Sequence, residues 1–429
     1  MVVRLARGRV HYAWIVFGVT FFTLLAAAGI RSTPGVLIVP LEHEFGWTRA
    51  EISLAVGINL LMFGLCGPFA AALMARFGVR RVLLIALLLI AVGVGLTTAM
   101  RQPWQLDLLW GFVVGTGTGS MAGVLAATVA NRWFVARRGL VIGILTAAGA
   151  TGQLVFLPVL ATLAVNQGWR WASLVVALAA LAAVPVVALL MRDDPARIGL
   201  KPYGAAEDFK SPSAVGNPFA AALSGLGRGV RSIDFWLLST SFFICGATTN
   251  GLVGTHLIPA SVDHGIPEVT AAGMLALIGV FDVVGTTVSG WLTDRVDSRW
   301  LLFWYYGLRG LSLLLLPFAL SSTYLVLLLF IVFYGLDWVA TVPPTIALST
   351  SIFGRERSAI IFGWVFAAHQ FGAAFAAFAA GALRTWLGDY QVTFLTAGLL
   401  CLIASGLVIR IGRASRGERP VRPLAPEAA

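Results

Sequence analysis

The sequence predicts an all-α membrane protein in which twelve transmembrane helices form two six-helix bundles. Of its 429 residues, 59% are hydrophobic and only 11% are charged, whereas soluble domains carry about a quarter charged residues. Long apolar stretches alternate with short polar intervals along the chain. One much longer hydrophilic interval divides the chain near its middle.

The apolar stretches are uninterrupted and lack the alternating pattern of membrane β-strands, so each is expected to form a helix. The first follows a basic start without a small-residue cleavage pattern, and we interpret it as a retained helix. The predicted spans are residues 10–41, 50–75, 79–100, 104–131, 138–164, 168–191, 232–262, 268–294, 299–319, 322–350, 357–384 and 388–411.

The hydrophilic interval, residues 192–231, is rich in proline, glycine and charge, which predicts a cytoplasmic linker with little fixed structure. It separates an N-terminal bundle (1–191) from a C-terminal bundle (232–411), and residues 412–429 form a cytoplasmic tail. The two halves resemble each other. LMARFGVRRVLL in the first aligns with LTDRVDSRWLLF in the second, which indicates an internal duplication.

The net charge of +11 is explained by topology. With the N-terminus assigned to the cytoplasm, 24 of the 30 Lys and Arg residues fall on the cytoplasmic side, 4 on the outer side and 2 within spans. This positive-inside asymmetry predicts two cytoplasmic termini. The membrane in which we expect the chain to lie is the inner (plasma) membrane. It leaves no reason to expect a nucleic-acid partner.

The stretch GWLTDRVDSRW, residues 290–300, resembles the loop signature of the major facilitator superfamily. The resemblance covers essentially the whole chain and implies two parallel six-helix repeats with substrate bound between them. It also implies a cytoplasmic gate in which Gly290 allows close helix approach, and Asp294 caps a helix and pairs with Arg295 or Arg299.

The first-half copy of this loop keeps Arg76 and Arg80 but has Ala75 at the aspartate position, which predicts a weaker gate there. A second stretch, FVARRGLVIGILTAAGATG (134–152), is similar to the fifth-helix signature of the monocarboxylate porter and oxalate–formate antiporter branch. Trp14 also fits this branch. The likeness implies a small carboxylate as substrate.

The chain departs from that branch at three positions. The acidic residue expected at the start of the first helix is replaced by a basic one near Arg9. Thr286 stands where many members carry an arginine in helix 8, although Asp282 matches the preceding aspartate. Pro34 stands where animal members carry a lysine. These departures leave the exact substrate open.

Ionisable residues inside a membrane cost about 2.5–3.5 kcal/mol each and normally face a cavity or a partner. Arg31 has two interpretations. Residues 12–30 already span about 28 Å, so Arg31 could reach the outer interface. Alternatively, the apolar run continues to Leu41, and Arg31 faces a cavity beside Pro34, where it would clamp a carboxylate in bidentate fashion.

Asp282 lies about 18 Å along helix 8 from the cytoplasmic loop, and we predict that it carries a proton. The alternative is a structural pair with Arg309. For Arg309 and Asp337, in the ninth and tenth segments, a structural pair is the favoured interpretation, with Asp337 kept as a second protonation site. Pro343 and Pro344 predict a bend in the tenth helix.

Uncharged polar groups could either hydrogen-bond a substrate or cross-link helices. The candidates are Asn59, Gln153, Asn250, His369 and Gln370. Glycines that recur on one face of the fourth and fifth segments predict helix packing. They are Gly111, Gly115, Gly119, Gly143 and Gly152.

No metalloprotease, CxxC, nucleophile-elbow or Walker A motif is present, so an enzyme is not expected, and neither catalytic residues nor a metal or cofactor is predicted. The leading prediction is a monomeric secondary transporter of a small organic anion, coupled to protons, that works in the lipid bilayer by alternating access. The runner-up is an exporter of a neutral or hydrophobic compound. A non-transporting membrane sensor is the alternative from another class.

Overall fold

The computed structural model describes residues 11–121, 123–206, 218–322 and 324–412, apart from some helical side chains that include those of Arg31 and Gln153. Long helices, labelled α1 to α12 in chain order, make up most of this part. They are α1 (Tyr12–Phe45), α2 (Arg49–Phe77), α3 (Val79–Thr97), α4 (Pro103–Leu106, Asp107–Val114, Gly115–Gly119 and Gly123–Trp133), α5 (Arg138–Gln167), α6 (Trp169–Leu190), α7 (Ile233–Gly246, Ala247–Val253 and Gly254–Asp263), α8 (Glu268–Thr293), α9 (Ser298–Leu320), α10 (Tyr324–Asp337 and Val342–Phe353), α11 (Arg355–Leu387) and α12 (Gln391–Val408).

Ten helices in the described residues are long and apolar enough to cross a membrane, namely α1–α3 and α6–α12. In α4 a π-helical segment, Asp107–Val114, interrupts the α-helix. In α5 only the shorter apolar stretch Val155–Gln167 is found. The structure therefore confirms an all-helical membrane protein. Membrane crossing by α4 and α5 stays a prediction.

The two halves, α1–α6 and α7–α12, pack against each other through α2 with α11, α5 with α8, and α1 with α7. Glycines permit the close approach of α2 and α11. A Cβ atom on Gly57 would lie 3.0 Å from the Ala374 carbonyl oxygen, and one on Gly381 would lie 2.6 Å from that of Arg49. Larger residues at these two positions would push the halves apart.

The predicted glycine seam of α4 lies against α2. Cβ atoms on Gly111, Gly115 and Gly119 would come within 3.0 Å of Ile58, Asn59 and Phe63, respectively. Gly152 in α5 likewise packs on α1, since a Cβ atom on Gly152 would lie 3.0 Å from the Leu25 carbonyl oxygen. Gly143 is different, because it is exposed and a Cβ there would meet no atom within 4 Å. The packing role predicted for Gly143 is wrong for this structure.

The linker is more ordered than its composition predicts. Tyr203 pairs with the loop after α4, since its amide donates to Trp133 and its carbonyl accepts from Val135 and Ala136. Further along, a linker helix (Pro218–Gly229) packs on α11 and α2. The expectation of little fixed structure is therefore wrong for both described ends of the linker. Residues 207–217 lie outside the described part.

An aspartate from the linker binds the first-half loop, in which Ala75 stands at the aspartate position. The Asp193 carboxylate accepts a hydrogen bond from the Arg80 amide at 2.8 Å, next to Gly78, whose φ of 91° suits glycine alone. The Arg80 guanidinium donates to the Ala188 carbonyl. Arg76 is exposed and lies over the Phe77 ring.

The corresponding second-half loop does not form the predicted pair. Arg299 binds Asp297 at 2.5 Å, and Arg295 stacks 4.1 Å from the Trp291 ring centre. Asp294 ends α8, is exposed, and makes no ion pair within the described residues. Its predicted pairing with Arg295 or Arg299 is wrong for this structure, because Arg299 pairs with Asp297 and Arg295 lies over the Trp291 ring.

Gly290 also departs from the prediction, since a Cβ there would meet nothing within 4 Å. The close helix approach that was expected at Gly290 occurs more than one turn earlier. A Cβ on Gly285 would lie 2.7 Å from the Leu336 Cα atom of α10.

Candidate functional site

A small cavity of about 40 Å³ lies at the boundary between the two halves. It has room for one or two water molecules. Helices α1, α2 and α5 form one wall, and α7, α8 and α10 form the other. The lining residues are Pro34, Val56, Asn59, Leu60, Phe63, Leu157, Asn250, Gly254, Thr255, Leu275 and Trp338.

Three of the cavity helices are irregular beside it. Pro34 lies inside α1, Asn250 lies in the π-helical segment of α7, and Trp338 lies in the break between the two parts of α10. Proline and π segments remove or shift main-chain hydrogen bonds, and such irregularities recur at functional sites. The cavity therefore lies where three helices depart from regular hydrogen bonding.

Two of the predicted polar residues line this cavity from opposite halves of the molecule, Asn59 from α2 and Asn250 from α7. The Asn59 side-chain amide donates to the Trp110 carbonyl of α4 at 2.7 Å. The Asn250 side chain makes no hydrogen bond within the described residues, although its main-chain carbonyl accepts from the Thr255 hydroxyl at 2.8 Å. The Asn59 side chain thus both lines the cavity and links α2 to α4.

Two lining residues with polar side-chain groups, Thr255 and Trp338, were not among the sequence candidates. Thr255 follows the π segment of α7, and Trp338 directly follows Asp337. A composition-based search has no signal for Thr255. Asp337, an aspartate inside a predicted span, drew attention to this part of α10. Nothing in the sequence indicates that the Trp338 indole lines the cavity.

The break in α10 is held by buried charged and polar groups, which we call the Arg309 cluster: Asp282, Ser289, Arg309 and Asp337. The Arg309 guanidinium binds the Asp337 carboxylate at 2.7 Å and donates to the carbonyls of Asp337 and Trp338. Ser289 donates to the Ala340 carbonyl. These contacts satisfy carbonyls that the broken helix leaves without partners.

Asp282 completes this cluster from α8. One of its carboxylate oxygens accepts from the Val339 amide at 2.9 Å and from the Thr286 hydroxyl at 2.8 Å. Val339 directly follows the cavity residue Trp338. The structure thus pairs Arg309 with Asp337, as favoured from the sequence, and connects Asp282 to the cavity wall through the main chain of α10.

A second charged cluster joins the two halves where α1 meets α2 and α11 meets α12. We call it the Arg49 cluster: Glu42, Arg49, Asp263, Arg384 and Tyr390. Arg49 forms a two-pronged pair with Asp263 of α7, at 2.7 and 2.8 Å, and binds Glu42 of α1 at 2.9 Å. Asp263 also binds Arg384 of α11 at 2.8 Å.

The fold builds this cluster from helix ends. A capping box of Thr48 and Glu51 starts α2 next to Arg49, while Asp263 ends α7. Tyr390 accepts from Arg49 and contacts Nδ1 of the buried His256 at 3.1 Å. Because His256 directly follows the cavity residue Thr255, the cluster is connected to the cavity along α7.

The sequence alone does not predict the Arg49 cluster. Arg49 and Arg384 are two of the four basic residues that the charge count assigns to the outer side. The one available signal was that opposite charges, Arg49 and Asp263, stand at the ends of the second and seventh segments on the same predicted side.

The remaining predicted contact residues are elsewhere or outside the described part. His369 lies between the rings of Phe242 and Phe366, and Gln370 is buried against Gly64 of α2. Neither lines the cavity in this structure. The side chains of Arg31 and Gln153 lie outside the described residues.

The chain matches the family model of the Major Facilitator Superfamily over residues 19–285 and 238–428. It is 30% identical to Monocarboxylate transporter 13 of Rattus norvegicus, over 93% of this chain and 89% of that protein. It is 24% identical to the Oxalate:formate antiporter of Oxalobacter formigenes, over 93% of this chain and 92% of that protein.

Among solved structures, the fold is similar to a bacterial homologue of the human lysosomal transporter Spinster, in an inward-facing and occupied conformation. The TM-score is 0.75 at 14% identity, over 97% of this chain and 100% of that one. The two family matches, the relatives and the fold agree. The chain belongs to the major facilitator superfamily, whose members are secondary transporters and not enzymes.

Proposed function

We propose that this transporter carries a small organic anion together with a proton, by alternating access between its two bundles. The position of Asp282 carries the proposal, because this buried carboxylate binds the Val339 amide next to the cavity residue Trp338. A proton site there is linked to the cavity wall. The relatives named as monocarboxylate transporter and oxalate:formate antiporter support the same substrate class.

The positive charge for the anion would come from Arg31. Among the described lining residues none is charged. Arg31 precedes the lining residue Pro34 by three positions in α1, and residues three apart share a helix face. A guanidinium at this place would bind a carboxylate in bidentate fashion.

Coupling would act through the break in α10. Hydrogen bonds to a charged group contribute about 1.5–3 kcal/mol, against about 0.5–1.5 kcal/mol for neutral pairs. Protonation of Asp282 would therefore weaken its hold on Val339 and let the Trp338 wall move. Pairing of the anion with Arg31 and of Asp282 with a proton would also reduce the charge that crosses the low-dielectric core.

For the topology, we propose twelve spans with both termini in the cytoplasm of the plasma membrane, in bundles of residues 1–191 and 232–411. The end of the molecule with the α2–α3 and α8–α9 loops then faces the cytoplasm. Gating there would involve Arg76 and Arg80 of the first half and Arg295 and Arg299 of the second. It would not require Gly290 or Asp294, which make none of the predicted contacts in this structure. The Arg49 cluster would close the outer end.

Uptake of labelled mono- and dicarboxylates into proteoliposomes, with and without a pH gradient, tests this function. Arg31→Ala should abolish saturable anion uptake, and Asp282→Asn should remove the dependence on the gradient while exchange persists. Asp294→Asn is the matched control, since this exposed carboxylate makes no ion pair in the described structure. Normal uptake by Arg31→Ala would contradict the anion site, and unchanged coupling in Asp282→Asn would exclude it as the proton carrier.

The apolar character of the described lining favours a second candidate, the export of a neutral or hydrophobic compound. Val56, Leu60, Phe63, Leu157 and Leu275 supply most of that surface. Efflux of an uncharged fluorescent compound from loaded vesicles, unaffected by Arg31→Ala, would support this candidate over the first.

A further inference from the structure

We propose that Asn59 determines substrate specificity by selecting carboxylates that carry a hydroxyl group over analogues without one. This selectivity rests on the proposed function, since it presupposes a carboxylate substrate. It concerns a residue of α2 whose side chain both lines the cavity and binds a neighbouring helix.

The orientation of the Asn59 amide follows from its partner. The Trp110 carbonyl oxygen can only accept, so the Asn59 nitrogen must be the donor of their 2.7 Å hydrogen bond. The amide plane is thereby fixed, and the nitrogen is committed toward α4. No hydrogen bond to the Asn59 oxygen is present within the described residues. The side chain therefore offers a carbonyl oxygen that still needs a donor.

The α4 seam keeps this amide in place. Gly115 approaches Asn59 so closely that a Cβ would lie 2.9 Å from the Asn59 Cα atom, and Trp110 belongs to the π-helical segment just before it. A fixed acceptor cannot turn away when a substrate without a donor enters. A substrate that displaces water from it would leave the oxygen unpaired, which lowers affinity.

Asn250, on the opposite wall of the cavity, differs from Asn59 in its hydrogen bonding. The Asn250 side chain makes no hydrogen bond within the described residues, so its two N–H donors remain available for carboxylate oxygens. Every carboxylate substrate, with or without a hydroxyl, would use them equally. Asn250 is therefore a matched control from the other half: its loss should lower uptake of all acids without changing the preference among them.

The test compares 2-hydroxypropanoate with propanoate as labelled substrates in proteoliposomes. The full-length protein should take up the hydroxy acid with about tenfold higher kcat/KM, as expected for one hydrogen bond that is satisfied or left open. Asn59→Leu should bring this ratio close to one. Asn250→Leu should lower kcat/KM for both acids and keep the ratio. A merely structural role of Asn59 would lower both rates and leave the ratio unchanged.

Asn59→Ser keeps an acceptor oxygen and provides a second variant if Asn59→Leu does not fold; part of the preference should persist. An unchanged ratio in Asn59→Leu, or a wild-type ratio near one, would overturn the role of Asn59 and leave carboxylate transport standing. Absence of uptake of any carboxylate by the wild-type protein would instead overturn the proposed function itself, and the selectivity with it.

Discussion

The two charged clusters differ in what they join. The Arg309 cluster lies within the C-terminal half, where it ties α8, α9 and α10 together. The Arg49 cluster connects α1 and α2 of one half with α7 and α11 of the other. In the alternating access that we propose, one half moves relative to the other, so the first cluster would persist through a transport cycle, whereas the second would open.

The two clusters also differ in the exposed fraction of their side chains. The side chains of Arg309 and Asp337 are 0% and 8% exposed, whereas the partners of Arg49 are 20% exposed at Asp263 and 35% at Glu42. Asp263 and Glu42 are exposed enough to be hydrated once Arg49 leaves, whereas the Arg309 side chain has no exposed surface. Separation is therefore far more costly in the Arg309 cluster. The buried cluster is therefore suited to bracing one half, and the partly exposed cluster to switching.

The largest effect is expected from breaking the buried pair. Arg309→Met should destabilise the protein by about 3–5 kcal/mol, because it leaves Asp337 buried without a counter-charge. Thermal unfolding in detergent measures this change. The double variant Arg309→Met/Asp337→Leu should recover most of the loss. Equal loss in the single and double variants would contradict the pairing argument.

Breaking the Arg49 cluster is expected to lower stability less than Arg309→Met does, but to change the conformation more. Asp263→Asn removes one charge from the two-pronged pair, at a cost of about 1.5–3 kcal/mol to the closed state. A cysteine at the lining position Thr255, in a background without the native cysteines, reports this opening. An impermeant maleimide added outside cells should label it about tenfold faster in Asp263→Asn, since about 1.4 kcal/mol corresponds to a tenfold population shift.

The same reporter in Arg309→Met should show no such increase if the Arg309 cluster only braces one half. Faster labelling in that variant, with none in Asp263→Asn, would reverse the roles assigned to the two clusters.

The smallest effects come from a matched pair of tyrosines. Tyr390 binds Arg49 of the other half, whereas Tyr334 donates to the Thr248 carbonyl within its own half at 2.7 Å. Each Tyr→Phe change should cost about 1 kcal/mol. Only Tyr390→Phe should also raise labelling at the Thr255 position, by a few-fold. Increased labelling in both variants would show that general loosening, and not the Arg49 cluster, controls opening.

The sequence predicts much of this fold because membrane helices are encoded locally. Long apolar runs must form helices to satisfy their backbone groups. An arginine and an aspartate inside neighbouring spans must find partners, so the pair of Arg309 and Asp337 could be anticipated. The two Asn candidates that line the cavity, Asn59 and Asn250, stood out because polar groups are rare in such runs.

Other features depend on contacts far apart in the chain. Asp282 binds a main-chain amide exposed by the α10 break, and no residue pattern predicts that partner. Arg49 and Asp263 are 214 positions apart and meet only when the halves pack. Asp193 binds the Arg80 amide of the first-half loop because the linker folds back on the first half. Each case needs tertiary geometry that local periodicity does not contain.

A reversible cross-link at the outer end tests the central claim, that transport requires the two halves to separate at the Arg49 cluster. The Ala50 amide of α2 donates to the Thr385 hydroxyl of α11 at 3.1 Å, so these two residues lie side by side and are the pair chosen for a disulfide between introduced cysteines. In a background without native cysteines, oxidation of Ala50→Cys/Thr385→Cys should abolish carboxylate uptake, and a reductant should restore it, while either single variant stays active. Full uptake with the cross-link formed would contradict the account.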